Sequence, residues 1–147
     1  MINREAAARK SSMRLEDQAH CCLWRYDMIK GIGVDLIEVS RVLAACEKEG
    51  FLNRYFTGKE IELIKSDLKK AADNFAVKEA VAKMLGTGFS GFGPIDIEVL
   101  RDEAGKPYVR LYGRAAKLAE ERGIDIIHVS ISNTREYANA FAVGESL

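Results

Sequence analysis

The sequence predicts an α+β domain with a largely antiparallel sheet and packed helices, and three observations support this fold class. Strand-like and helix-like segments mix without the strict strand–helix alternation of a parallel sheet. The last two strand-like segments are separated by only a few residues, as in a hairpin. The 147 residues suit a single domain, and the 48% apolar and 30% charged residues are typical of a folded globular chain.

Charge and hydropathy exclude several function classes. Lys plus Arg and Asp plus Glu both number 22, so the basic excess of a general nucleic-acid binder is missing. No stretch approaches the ~20 consecutive apolar residues that span a bilayer, and the N-terminus lacks the apolar segment of a signal peptide. The spacing of Cys21, Cys22 and Cys46 offers neither a disulfide framework nor a Cys-x-x-Cys metal site. We therefore expect a cytoplasmic protein that binds neither nucleic acid nor membranes.

Residues 1–27 differ from the rest of the chain. Their charges follow no period, and Met28 offers a second possible start directly before an apolar run. Residues 6–15 could form a helix, but an isolated helix of that length is marginal in water. We expect residues 1–27 to be an extension without function and residues 28–147 to form the functional domain.

The first strand of that domain has two unlike faces. One face is apolar and the other is nearly bare; the apolar face carries Ile32, Val34 and Leu36, and the bare face carries Gly31, Gly33 and Asp35. Asp35 therefore projects from the side that two glycines leave clear.

Capping residues predict three helices after this strand. Ser40 is a plausible N-cap of a helix that stops at Gly50. Thr57 begins a helix to about residue 68, with Glu60 completing a capping box. Asp73 is the predicted N-cap of a third helix, over residues 74–85.

The remaining elements follow from alternation and turn residues. The predicted segments are strands over 95–100 and 107–112 around a turn at 102–106, a helix over 114–122 ended by Gly123, and a hairpin of strands over 126–132 and 137–143.

The helix over 74–85 carries the chemistry. Its core stripe is formed by Val77, Ala80, Val81, Met84 and Leu85. Glu79 and Lys83 point to the opposite side, where they could form a solvent-facing i,i+4 pair. That side is also largely apolar, however, and from residue 75 to 85 the only polar residues are Lys78, Glu79 and Lys83. Charges on a helix buried on both sides need a partner or an ion, and a carboxylate between two lysines fits a phosphate and Mg²⁺ site.

Three further features fit such a site without deciding it. Asp35 is the other candidate oxygen ligand, since Mg²⁺ usually takes one or two protein carboxylates. The glycines of Gly86-Thr87-Gly88 could present N–H groups to a phosphate, or simply end the helix. The stripe of His128, Ser130 and Ser132, which ends at Asn133, is either a solvated sheet face or a ligand contact.

Several motifs together resemble the holo-acyl-carrier-protein synthases, the small class of 4′-phosphopantetheinyl transferases. The matching segments occur in family order from residue 28 to 143: Gly31-Ile32-Gly33-Val34-Asp35 followed by Arg41, Phe56-Thr57-Gly58-Lys59-Glu60, Phe75-Ala76-Val77-Lys78-Glu79-Ala80 with Lys83 and Gly86-Thr87-Gly88, Asp96-Ile97-Glu98-Val99, Gly105-Lys106-Pro107, and His128-Val129-Ser130-Ile131-Ser132.

The resemblance implies an activity and a site. The family moves the phosphopantetheine arm of coenzyme A to a serine of apo-acyl carrier protein with Mg²⁺, releasing adenosine 3′,5′-bisphosphate. It implies that Asp35 and Glu79 hold the metal and that Lys83 acts with them on the phosphates during catalysis. We expect the coenzyme A contacts to come from Lys78, Lys83, Gly86, Thr87, Gly88, His128, Ser132 and Asn133.

The resemblance also implies partners. Family members of this size form homotrimers with sites between subunits, which would explain how a helix that is apolar on both sides becomes covered. The carrier protein would meet a basic surface formed here by Arg41, Lys48 and Arg54. This chain has Asp73-Asn74 where the family often has a basic residue, and Asn133 where it often has a second histidine. The alternative function is a non-catalytic oligomer that binds coenzyme A or a nucleotide.

Overall fold

The computed structural model describes residues 28–147, so the expectations for residues 1–27 lie outside the described residues. The strands are β1 (Met28–Glu38), β2 (Ile97–Arg101), β3 (Pro107–Leu111), β4 (Ile126–Asn133) and β5 (Tyr137–Ser146). The helices are α1 (Val39–Cys46), α2 (Phe51–Tyr55), α3 (Gly58–Ser66), α4 (Lys69–Met84) and α5 (Gly113–Glu121), with a 3₁₀ turn at Pro94–Asp96.

The strands form two antiparallel sheets, which confirms the predicted α+β fold class. The larger sheet has the order β1-β5-β4, and β2 pairs with β3 in the smaller one. β1 and β5 are therefore neighbours in the sheet although they are the first and last strands in the sequence of the described residues. Asp35 of β1 pairs with Ala140 of β5. None of the described helices is long and apolar enough to cross a membrane.

The two glycines of β1 allow helix α4 to approach the sheet closely. A β-carbon at Gly31 would overlap the carbonyl oxygen of Met84, and one at Gly33 would overlap that of Ala80. The bare face of β1 is thus filled by backbone of α4, because only glycine leaves room for it. This close approach brings Asp35, two residues further along, beside the charged residues of α4.

Helix α4 starts five residues before the predicted position. Asp73 was expected to be its N-cap but lies inside the helix, which begins at Lys69. The Asp73 carboxylate accepts a hydrogen bond from Asn133 (2.8 Å) and lies 3.9 Å from Lys70, so it is satisfied by side chains instead of by capping. The prediction that Asp73 caps the helix was wrong because its carboxylate binds the side chain of Asn133, 60 residues away, and not a backbone N–H of the helix start.

The prediction that α4 is buried on both sides holds within one chain. Its fully buried apolar residues include Ala71, Ala72, Ala76, Val77, Ala80, Val81 and Ala82. A second subunit is therefore not needed to cover this helix, and that part of the argument for a trimer was wrong.

The other helix starts follow the predictions to different degrees. Ser40 is not an N-cap, because β1 continues to Glu38 and α1 begins directly at Val39, whose N–H bonds to Glu136 O. α1 ends at Cys46, before the predicted end, and the short helix α2 was not predicted. The capping box of Thr57 and Glu60 at the start of α3 is confirmed.

The outer face of the larger sheet is exposed and is apolar along β1, whereas β4 contributes polar side chains to it. It carries Ile32, Val34, Leu36 and Phe141, which are 56%, 50%, 64% and 43% exposed. The alternation in β1 therefore predicted two faces correctly, but the face with large apolar side chains is the one that does not pack against α4.

Candidate active site

A cleft of about 440 Å³ lies where the end of β1, helix α1 and helix α4 meet. Its polar lining consists of Asp35, Glu38, Arg41, Glu79 and Lys83, and its apolar lining includes Val42, Phe51 and Phe75. The three residues predicted for catalysis, Asp35, Glu79 and Lys83, thus share one cleft.

Lys83 is bound to the strand that carries Asp35. Its Nζ lies 2.6 Å from Asp35 Oδ1 and 3.1 Å from the carbonyl oxygen of Val34. The Lys83 side chain is 51% exposed, whereas that of Asp35 is 16% exposed. Helix geometry allowed an i,i+4 pair of Lys83 with Glu79, but the ion-pair partner of Lys83 is Asp35, because the close approach of β1 brings that carboxylate within reach.

The Glu79 carboxylate lies in the same cleft, and no group of residues 28–147 donates a hydrogen bond to it. Burial raises the pKa of the Glu79 carboxyl group, the charge of Asp35 raises it further, and Lys83 opposes both. A carboxylate in these surroundings is stabilised by an added cation, because a cation offsets both the repulsion and the lost hydration.

The donor set fits a hard divalent cation of the Mg²⁺ type. Two carboxylates, of Asp35 and Glu79, face one cleft, and Mg²⁺ commonly takes one or two carboxylates and completes its shell with water and phosphate oxygens. Among residues 28–147 there is no group of three or more His, Cys, Asp or Glu side chains arranged to hold a metal ion. The two acids therefore suit an ion that shares its remaining ligands with a substrate.

Aromatic side chains form the apolar end of the cleft. Phe51 stacks on Tyr55 with ring centroids 4.4 Å apart, and Tyr55 lies 5.8 Å from Phe75. Phe51 and Phe75 line the cleft together with the charged residues, and Phe75 lies one helical turn before Glu79. The cleft can therefore hold a molecule that has a charged end and a less polar portion.

Comparison with known proteins identifies the family. The family model described as the 4′-phosphopantetheinyl transferase superfamily matches residues 31–142. The holo-[acyl-carrier-protein] synthase of Lachnoclostridium phytofermentans is 57% identical over 118 residues, which cover 80% of this chain and 97% of that protein. The chain belongs to the holo-[acyl-carrier-protein] synthase family of 4′-phosphopantetheinyl transferases. The resemblance drawn from the motifs, and the enzyme class that it implied, are confirmed.

Solved structures of this family share the fold. The holo-[acyl-carrier-protein] synthase of Neisseria meningitidis gives a TM-score of 0.74 at 33% identity, covering 81% of this chain and 100% of that one. The Bacillus anthracis synthase in complex with CoA (3′,5′-ADP) gives 0.69 at 36% identity, covering 82% and 99%.

The lysine of the family's Phe-Ala-x-Lys-Glu segment lies away from the cleft. Lys78 is fully buried, and its Nζ donates to Glu60 (2.8 Å), to the Pro94 carbonyl (2.9 Å) and to the Ile97 carbonyl. Burial lowers the pKa of Lys78, and the charge of Glu60 opposes this. The expectation that Lys78 binds coenzyme A does not fit this geometry, since its three donors are already used.

The polar residues of β4 are also outside the cleft. His128 and Ser132 lie exposed on the outer face of the larger sheet, where His128 Nε2 lies 2.8 Å from Glu145 Oε2. Asn133 contacts Asp73 of α4. Within one chain, none of the three lines the cleft with Asp35, so a role in ligand binding would require a site formed with another subunit.

The glycine loop after α4 mainly ends the helix. The N–H groups of Gly86 and Gly88 donate to Lys83 O and Ala82 O, and both glycines have positive φ, at 78° and 56°. Of the two readings of this loop, the helix cap accounts for both glycine amides. Among the described residues, the Thr87 N–H is the amide of this loop that no backbone carbonyl engages.

The basic residues expected to meet the carrier protein lie next to the cleft. Arg41 lines it directly, while Lys48 and Arg54 line a neighbouring depression. Phe51 belongs to both depressions, so the three cations border one continuous region.

Sequence reasoning missed the apolar end of the cleft and Glu38. Phe51 and Phe75 are separated by 24 positions, and no local pattern links them. Glu38 lies three positions after Asp35 in the same strand, so the period of two assigns it to the opposite face and gives no sign that it lines the cleft.

Proposed function

We propose that the protein transfers the 4′-phosphopantetheine group of coenzyme A to a serine of apo-acyl carrier protein with Mg²⁺, releasing adenosine 3′,5′-bisphosphate. The single observation that carries the proposal is the convergence of Asp35, Glu79 and Lys83 in one cleft of a chain of the synthase family. The coenzyme A named for the related Bacillus anthracis structure supports the donor substrate.

The charged residues would have distinct roles. Lys83 would contact a pyrophosphate oxygen, since its exposed ammonium can reach into the cleft. Asp35 and Glu79 would hold the Mg²⁺. When bound, that ion would supply positive charge that offsets the negative charge developing on the phosphates during phosphoryl transfer. Positioning and charge neutralisation account for most of the catalysis of such a reaction, so these three residues supply what it needs.

The apolar end of the cleft and its basic border would orient the two substrates. Phe51 and Phe75 offer an apolar surface to the uncharged part of the pantetheine arm or to the carrier segment around its serine. Arg41, with Lys48 and Arg54 beside it, would attract a carrier surface rich in acidic residues.

We also propose a homotrimer with sites between subunits. The support is the exposed apolar outer face of the larger sheet, since exposed apolar patches of this kind mark interaction surfaces. Such an assembly would place His128 and Ser132 next to residues of a neighbouring subunit, because both lie on that face.

Mass spectrometry of an apo-acyl carrier protein tests the transferase. The protein is incubated with coenzyme A, Mg²⁺ and the carrier, and the carrier should gain one phosphopantetheine while adenosine 3′,5′-bisphosphate appears. Chelation of Mg²⁺, Asp35→Ala and Glu79→Ala should each abolish most of the gain, whereas Glu120→Ala on the exposed side of α5 should not. Binding of coenzyme A without any mass gain would favour the non-catalytic oligomer instead.

A further inference from the structure

We infer that Lys83 competes with the divalent cation for Asp35 and is drawn away by phosphate, so that nucleotide binding opens the metal site. The inference rests on the proposed function, because it takes Asp35 as a metal ligand and phosphate as the second partner of Lys83. It goes further by assigning to Lys83 a role in the protein before substrate binds.

The contact itself carries the first step. Lys83 Nζ touches Asp35 Oδ1 at 2.6 Å, which is a short charge-assisted hydrogen bond. Among residues 28–147, Lys83 is the only cation within ion-pair distance of Asp35 or Glu79. A divalent cation that takes a ligand oxygen from Asp35 must therefore displace this ammonium or share the carboxylate with it.

The exposure of the two side chains carries the second step. The Asp35 side chain is largely covered, whereas half of the Lys83 side chain is exposed in the cleft. Lys83 can leave the strand by rotating its own side chain and needs no change in the backbone. When the Lys83 ammonium moves away, the Asp35 carboxylate becomes accessible to a cation.

The surroundings of Glu79 carry the third step. Glu79 lines the same cleft as Asp35 and Lys83, so the two acids and the ammonium share one local electrostatic field. When phosphate takes Lys83, both carboxylates lose their cation together. A divalent ion then restores the balance, which couples metal binding to nucleotide binding through a single side chain.

Metal binding to the ligand-free protein tests the inference without any turnover. Free Mn²⁺ is counted by electron paramagnetic resonance, and Mg²⁺ binding is measured by calorimetry. Lys83→Met should tighten both ions by about fivefold or more, within the usual range of coupling between sites. Lys83→Arg should keep weak binding, because it keeps a cation beside Asp35.

Two controls separate competition from general charge effects. Arg41→Gln removes another cation of the same cleft that makes no ion pair with Asp35, and it should change metal affinity by less than about twofold. In the Asp35→Asn variant, the additional change Lys83→Met should no longer increase metal affinity, since the carboxylate for which Lys83 and the metal compete is absent.

The nucleotide arm uses adenosine 3′,5′-bisphosphate, which lacks a pyrophosphate group that would chelate the ion itself. It should tighten Mn²⁺ binding in the unaltered protein and much less in Lys83→Met. The inference is overturned if Lys83→Met binds metal within twofold of the unaltered protein, or if Arg41→Gln reproduces its effect. Failure of the proposed function is distinct, because the carrier would then gain no mass while these affinities could still be coupled.

Discussion

Gly33 of β1 lies so close to helix α4 that a β-carbon on it would overlap the carbonyl oxygen of Ala80. The obstacle is backbone at the centre of a buried helix, so it cannot move aside as a flexible side chain could. This close contact sets the distance between β1 and α4. It thereby sets the distance between Asp35 on the strand and Lys83 on the helix.

Gly33→Ala should separate the strand from the helix. We expect a loss of about 3 kcal/mol or more in the free energy of unfolding, at the upper end for overpacking. Gly58→Ala is the matched control, since nothing lies within 4 Å of its β-carbon position and alanine favours the start of α3. Denaturant unfolding of both variants checks this, and equal stability of the two would contradict the packing role of Gly33.

Local sequence patterns predicted the helices and strands better than they predicted which of these elements pack against each other. The alternation in β1 shows which residues share a face, but nothing in a period of two says which face a helix will cover. Here α4 covers the face with the glycines, because it packs backbone to backbone. The exposure of Ile32 and Leu36 therefore depends on tertiary packing, which the periodicity of the sequence does not predict.

The same limit explains which of the predicted site residues lie together in the cleft. Glu79 and Lys83 lie one helical turn apart, so their common direction followed from helix geometry. Lys78 is adjacent to Glu79 but rotated by about 100° around the axis, and its partner Glu60 lies 18 positions earlier. A buried ion pair formed over that separation leaves no signal in the local pattern.

Lys78→Met should act on folding and not on nucleotide binding. It leaves Glu60 buried without its cation, which costs about 3–5 kcal/mol in stability. Lys83→Met, which removes an exposed lysine of the same helix, should cost far less. Denaturant melts compare the two, and binding of coenzyme A by the folded fraction of Lys78→Met should be unchanged. If Lys78→Met unfolded like the unaltered protein but bound coenzyme A more weakly, Lys78 would instead be a coenzyme A contact.

Glu79→Gln should stabilise the protein in a pH-dependent way. The folded protein raises the pKa of Glu79 above its ordinary value of 4.5, so the ionised group costs stability at neutral pH. The variant should melt at a higher temperature near pH 7, and the difference should vanish as the pH falls below 4.5, where both states are protonated. Thermal melts across pH check the prediction, with Glu120→Gln as an exposed control. A gain that persists at low pH would point to a cause other than charge.

Lys83→Ala should reduce catalysis while leaving folding nearly intact. If Lys83 served only its ion pair with Asp35, the change would cost a few tenths of a kcal/mol in stability and little else. Loss of a charged hydrogen bond to the pyrophosphate should cost about 1.5–3 kcal/mol, roughly tenfold or more in kcat/KM for coenzyme A. Steady-state kinetics beside a thermal melt separate the two. Unchanged kinetics with a slightly lower Tm would leave Lys83 a structural role only.

Charge on the outer face of the larger sheet should dissociate the assembly. Val34 is half exposed and pairs with Phe141 on the neighbouring strand, so Val34→Lys puts an ammonium at the centre of the apolar face. The fold should tolerate this change, because the side chain points away from α4, but an interface would have to bury the charge at a cost of several kcal/mol. Light scattering should find a trimer for the unaltered protein and a monomer for the variant. Leu68→Lys is the control, since Leu68 is 50% exposed but directly precedes α4 and belongs to no strand of this sheet. A monomeric unaltered protein that still modifies the carrier would contradict both the trimer and the sites between subunits.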